Sequence, residues 1–220
     1  MITTIPAYSR SESGNADAYR RVFRRQVHEL LKLGYDRLTP ADCCAEQEET
    51  ITGFLVEAID GVLDCPSEDW MRFLSVHEDP RVHDQARKGK RRRRVDLRVD
   101  SSVSRARTRF SFEAKRLGKD HPVGEYLGQD GMGCFLSGAY ARDDDQAGML
   151  GYVQAGTPQQ WVGRIRSALE TDPSRYNMPE LERFSSVEIV DGLNHTYRSN
   201  HDRPSVGRRV SIFHTLLQFN

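Results

Sequence analysis

Two short alternating runs constrain this chain more than any other feature. They are Arg94-Val95-Asp96-Leu97-Arg98-Val99 and Arg109-Phe110-Ser111-Phe112-Glu113-Ala114-Lys115. In a β-strand, successive side chains point to opposite faces. Val95, Leu97 and Val99 therefore share one face, and Asp96 and Arg98 the other. Phe110, Phe112 and Ala114 form an apolar face opposite Glu113 and Lys115. Pairing the runs as an antiparallel hairpin, with its turn centred near Ser104 and Arg105, sets Asp96 beside Glu113 and Lys115. Two carboxylates and an amine on one patch are a place to hold a hard divalent cation and activate a water. The carboxylates are expected about 3–6 Å apart, the span one bound cation bridges.

The remaining elements follow from periodicity and punctuation. Residues 1–14 read as a flexible tail, followed by a helix from Asp17 to Leu33 that Gly34 stops. Thr39-Pro40 opens a second helix that runs to Leu63. Its apolar residues Ile51, Leu55, Ala58, Ile59 and Val62 fall at i, i+3, i+4 and i+7 spacings. At about 100° per residue, Glu48 lies within that apolar sector and Glu49 outside it. An acid facing the core needs a partner, and a metal or a lysine would provide one. Trp70 to Val76 reads as an edge strand or the end of a helix, and 77–92 as a polar loop. Val123 to Tyr140 reads as a helix despite five glycines, and Ala147 to Val153 as a buried strand. Thr157-Pro158 caps a helix ending at Glu170. Val187 to Val190, Asn194 to Ser199 and Val210 to Phe219 read as closing strands.

At 220 residues the chain is expected to form a single domain, 1–220, with a substantial core. It has no run of apolar residues long enough for a membrane span, so no membrane partner is expected. Its N-terminus lacks a secretory pattern. The cysteines at 43, 44, 65 and 134 form no zinc-like spacing, and a reducing cytoplasm is the simplest location. The net charge of zero hides a segregation. Residues 81–119 carry fifteen Lys and Arg against four Asp and Glu, while 42–79 carry eleven acids against one base. The densest basic stretch, Arg87, Lys88, Lys90, Arg91, Arg92, Arg93 and Arg94, leads directly into the Asp96 strand. A phosphate-binding arm fits that position, and a solvated loop is the plainer reading.

An acid on one strand followed by acid-x-Lys on the next resembles the PD-(D/E)XK, or restriction-endonuclease-like, nuclease superfamily. Here the motif is Asp96 and then Glu113-Ala114-Lys115, with Val95 in the place of the family's frequent proline. The resemblance implies an α/β fold, a mixed β-sheet flanked by helices in an α/β/α sandwich. It implies a Mg²⁺- or Mn²⁺-dependent endonuclease acting mostly on DNA. Asp96, Glu113, the Ala114 carbonyl and a first-helix acid, Glu48, would hold the metal, and Lys115 would serve the attacking water. Tyr126 and Gln129 match the residue types that the following helix offers to the site. His201 and Arg203, in the polar run 197–203, would border the cleft and touch phosphate. Stand-alone bacterial members suggest phage or mobile-element defence, with an activating or regulatory protein partner.

Two other classes remain open: a catalytically inactive nuclease-fold module that binds nucleic acid, and a protein-interaction module whose basic block meets an acidic surface. A His195, His201 and His214 metal trio matches no common spacing, and Asp143-Asp144-Asp145 reads as a solvated turn. If the basic arm binds phosphates, replacing Arg91, Arg92 and Arg93 with alanine lowers the slope of log K against log salt. On duplex DNA, each phosphate that is no longer neutralised reduces the slope by about 0.9. Fluorescence anisotropy across a salt series measures the slope, with thermal stability as the control. An unchanged slope assigns the arm to solvent or to the acidic segment.

Overall fold

A computed structural model describes residues 11–82, 93–103 and 108–220, with side chains from residue 17 onward. Seven strands form one mixed sheet in the order β1-β2-β3-β4-β7-β6-β5. They are β1 (Leu74–Glu78), β2 (Leu97–Ser101), β3 (Thr108–Leu117), β4 (Gln146–Val153), β5 (Ser185–Ser186), β6 (Thr196–His201) and β7 (Val210–Gln218). The β3-β4 and β4-β7 pairs are parallel; the other pairs are antiparallel. Helices α1 (Ser11–Tyr35), α2 (Pro40–Cys43), α3 (Glu48–Leu63), α4 (Val123–Tyr126), α5 (Gly133–Leu136) and α6 (Pro158–Thr171) complete the fold. No helix among the described residues is long and apolar enough to cross a membrane.

The central hairpin has the register that the alternation requires. Leu97 lies opposite Phe112, Val99 opposite Phe110 and Ser101 opposite Thr108, so the pairing centres between residues 104 and 105. One apolar cluster joins Phe110, Phe112 and Ala114 to Leu97 and Val99, and to the buried sides of α1 and α3. A second cluster joins α4, α5 and α6 to Met149, Val153, Ile212 and Leu216. The sheet therefore carries helices on both faces. Val95 departs from the alternation. A bend at Asp96 turns it away from Leu97 and Val99 and into the second cluster.

Three expected elements are broken. The helix expected from Thr39 to Leu63 is interrupted at 44–47, where the Gln154 side chain takes up the Cys43 and Glu46 carbonyls that a continuous helix would have used. The helix expected over 123–140 is two single turns, α4 and α5. Between them the chain folds tightly on itself, and a Cβ at Gly131 would lie 2.4 Å from the Tyr126 carbonyl oxygen. Residues 187–190 form no strand, and the edge strand is Ser185–Ser186 instead. The first helix begins at Ser11, so part of the expected tail is helical. The segment expected as strand or helix around Trp70 is both, a 3₁₀ turn over Asp69–Phe73 running into β1. The α6 start agrees with its sequence signal: Thr157 and Gln160 form a reciprocal capping box.

β4 lies against β3 at a point where only glycine fits. Gly148 pairs with Phe112, and a Cβ there would lie 2.1 Å from the Phe112 ring. That ring is wholly buried and packs 4.9 Å from the ring of Phe110, so it has no room to yield. Gly148→Ala is expected to cost about 2 kcal/mol by overpacking. Urea unfolding measures the loss, and an unchanged midpoint means that β3 and β4 separate freely here.

Candidate active site

The strands β2 and β3 part company at Asp96, and the site forms in the fork. Past Leu97 the chain bends away from the sheet, leaving the backbone of β3 without its neighbour on that side. The Asp96 side chain replaces the missing acceptor: the Ala114 N–H donates to Asp96 Oδ2 at 2.7 Å. The bond fixes the carboxylate over the fork, on the side where Glu113 projects. The Asp96 and Glu113 carboxyls are near enough that the charge of Asp96 acts on Glu113. The hairpin register is the cause, because it sets residue 96 level with residue 113.

Lys115 closes the cluster. Its ammonium donates to Glu48 Oε1 at 2.7 Å, to Glu113 Oε1 at 3.0 Å and to the Ala114 carbonyl at 2.7 Å. Glu48, the first residue of α3, also accepts the Arg116 backbone N–H at 3.1 Å through Oε2. Glu49 is exposed, as the helical phase requires. Four side chains from α3, the bend before β2, and β3 therefore meet at one point.

Burial dominates the electrostatics. It raises the Asp96 carboxyl to about 6, against the opposing pull of the Ala114 N–H and Lys115. It raises Glu113 to about 8, helped by the Asp96 charge and opposed by Lys115. Lys115 is lowered by burial, but Glu113, Glu48 and Asp96 outweigh that and hold it above the ordinary lysine value. The lysine is thus an ammonium, and the two facing acids retain a proton at neutral pH. Glu113 is only 4% exposed, and its Oε2 has no hydrogen-bond partner.

That orphaned oxygen bears on whether a metal fits. Buried carboxylate oxygens from Asp96 and Glu113, with a backbone carbonyl alongside, are the hard donors that Mg²⁺ or Mn²⁺ takes. Among the described residues, no group of three His, Cys, Asp or Glu side chains is arranged to hold a metal ion. The third acid, Glu48, spends both oxygens on Lys115 and the Arg116 N–H, so it joins the site through the lysine. Magnesium is commonly held by one or two carboxylates, with water and phosphate completing its shell. The two-acid donor set fits a metal of that kind.

The other expected site residues divide. Arg87, Lys88, Lys90, Arg91 and Arg92 lie outside the described residues. Arg93 is half-buried, and its charge acts on Cys134. Arg94 forms an ion pair with Asp79, which ties one end of the basic stretch to the acidic segment. Gln129 is exposed in the turn between α4 and α5, where its carbonyl accepts from Cys134.

Tyr126, His201 and Arg203 are corrections, since all three are buried and used internally. Arg203 donates to the carbonyls of Ala141 and Asp144, at 2.8 and 2.7 Å. Tyr126 and His201 end a buried chain of polar groups. His201 Nδ1 lies 2.8 Å from the Tyr176 carbonyl, which only accepts, so it carries the proton. Its Nε2 then accepts from Ser199, at 2.6 Å. Ser199 Oγ accepts in turn from His214 Nε2, and His214 Nδ1 from the Tyr126 hydroxyl. Every member is satisfied with both imidazoles neutral. His195 stands apart beside Gln159, so the histidines assemble no metal trio.

Sequence reasoning missed Cys134 and Tyr140. Burial and then the Glu113 charge push both upward, the Cys134 thiol to about 11, so both groups feel the charge of the site. Nothing in the periodicity of 123–140 marks them, because the glycine turns put them there. Comparison with known protein families, with curated proteins and with solved structures found no match to this chain.

The raised acids carry a stability consequence. A carboxyl whose folded pKa exceeds its unfolded value binds more protons when folded, so stability falls as pH rises toward the folded pKa. For Glu113 the loss runs from its ordinary value up to about 8. His28, His201 and His214, lowered by burial to about 4, 4 and 3, act in the opposite sense below their ordinary value of 6.5. Between pH 6.5 and 8 the Glu113 effect stands clear of both Asp96 and the histidines. The metal-free protein is expected to lose about 1–2 kcal/mol over that interval. Glu113→Gln removes the loss. Thermal unfolding in a chelator across this range measures it, and a flat wild-type profile means Glu113 is already ionised at neutral pH.

Proposed function

We propose that this chain is a metal-dependent endonuclease of the restriction-endonuclease-like type that hydrolyses phosphodiester bonds in DNA. One observation carries the reading: Asp96, Glu113, Lys115 and Glu48 meet in a half-closed fork where β3 loses its neighbour. The mixed sheet with helices on both faces is compatible with that fold family.

The Asp96 and Glu113 carboxylates, with the Ala114 carbonyl, would hold Mg²⁺ or Mn²⁺. Such an ion supplies a water of lowered pKa and offsets charge on the phosphate. The residues of the chain do the rest. Asp96 keeps one oxygen on the Ala114 N–H and has the other for the site. Lys115 remains protonated, with all three N–H groups bonded to oxygens of the chain; one of them, released from the Ala114 carbonyl that the metal would take, turns toward the non-bridging phosphate oxygens, where negative charge builds up. Glu48 holds Lys115 in place. Water oxygen adds to phosphorus and gives up a proton to surrounding solvent, the bond to the leaving sugar oxygen breaks, and that oxygen takes up a proton from solvent in turn. The basic stretch 87–94 binds the nucleic-acid backbone on the approach. A role in phage or mobile-element defence, in the cytoplasm and under the control of a partner protein, suits an enzyme whose unrestrained activity would damage its host.

The test is cleavage of plasmid DNA, with RNA of matched length as a second substrate, in Mg²⁺ or Mn²⁺. Lys115→Ala and Asp96→Ala are each expected to lower the rate by about a hundredfold or more, the scale for removing a charge-stabilising group. Undiminished cleavage by either variant assigns the activity elsewhere. Binding without cleavage under every metal condition favours the inactive nucleic-acid-binding module.

A further inference from the structure

We propose that Tyr152, acting through Thr52, is a positioning residue that sets where the Lys115 ammonium stands. The inference rests on the nuclease reading for its kinetic consequence, but its geometry is independent of that reading.

The start of α3 lacks a cap of its own. Its N-cap residue, Gln47, makes no side-chain cap, so the helix does not fix its own first turn. Glu48 is the first residue of that turn, and any drift of the turn moves the carboxylate that holds Lys115. The fixation comes from β4. Tyr152 is wholly buried and lies directly across from Arg116 in the β3-β4 pair. Its hydroxyl is 2.9 Å from Thr52 Oγ1, and the Thr52 hydroxyl donates to the Glu48 carbonyl, also at 2.9 Å. Thr52 has a single proton and gives it to Glu48, so the Tyr152 hydroxyl donates to Thr52. The relay runs one way: Tyr152 O–H to Thr52 Oγ, then Thr52 O–H to the Glu48 carbonyl.

Arg116, across from Tyr152, takes the other end of the same residue through its N–H to Glu48 Oε2. Two adjacent sheet positions therefore grip Glu48 by its backbone and by its carboxylate. Two residues beyond Tyr152, the Gln154 amide holds the Cys43 and Glu46 carbonyls at 2.9 Å each, fixing the chain as it enters the helix. None of these β4 groups reaches Lys115 itself. They act by fixing the height of Glu48 above it.

The experiment uses the whole chain and the variants Tyr152→Phe, Thr52→Val and Thr52→Ser. The first readout is the ¹⁵N-detected ammonium resonance of Lys115, identified by its loss in Lys115→Met. In the wild type the ammonium is held by three oxygens, and its protons exchange slowly enough to be seen. Tyr152→Phe and Thr52→Val are expected to broaden or shift it, and Thr52→Ser to restore it. The second readout is kinetic. Both disruptive variants are expected to lower kcat about ten- to hundredfold, the cost of misplacing a reacting group. KM for DNA stays within about twofold, and the double variant is no worse than either single one, because the two residues act as one unit.

An unchanged Lys115 resonance in folded Tyr152→Phe and Thr52→Val overturns the proposal. So does a change in Tm with kcat intact, which makes the pair merely structural. If wild type cuts no nucleic acid, the nuclease reading fails. The resonance then decides the relay alone: a shift restored by Thr52→Ser sustains it, and no shift ends it.

Discussion

The bond from the Ala114 N–H to Asp96 is the constraint on which the rest of the site depends. A strand that loses its neighbour exposes a backbone donor, and a buried donor without a partner costs roughly 1–3 kcal/mol. The chain meets that need with a carboxylate, and so takes a charged group into a place where burial disfavours charge. The raised Asp96 and Glu113 pKa values follow from this step, as does the need for a cation close by. Lys115 supplies the cation, and Glu48 fixes the lysine. The solution to a backbone problem and the assembly of a reactive cluster are thus one arrangement.

The hairpin and the helix acid were legible in the sequence because both obey a period. Alternation fixes a strand's faces, and a connection of known length fixes the register. The pairing of Leu97 with Phe112, and hence of Asp96 with Glu113, could therefore be read directly. The helical wheel separated Glu48 from Glu49 for the same reason. Val95 broke the pattern because alternation ends where a strand bends, and no residue type announced the bend at Asp96.

Other features were illegible because they depend on neighbours distant in sequence. The 123–140 segment has a composition that allows a helix, and its turns come from backbone approaches at Gly128, Gly131 and Gly133 that only glycine tolerates. Tyr126, His201 and Arg203 were read as cleft residues, yet they lie inside with His214 because each finds a complete set of partners there. Polarity marks a need for hydrogen bonds, and those bonds need not involve solvent.

The position of β7 governs how the protein comes into being. This strand ends at Gln218, yet it lies between β4 and β6, and Phe213 and Phe219 complete the cluster beneath the central hairpin. As the chain leaves the ribosome, Glu48, Asp96, Glu113 and Lys115 emerge long before the strand that closes the sheet beside β4. Pairings so distant along the chain are slow to form and impose a large loop-closure cost. A nascent chain that has not yet delivered β7 therefore carries every group of the site without the interior that holds them. Translation itself delays the cluster's assembly until almost all of this sequence has been made.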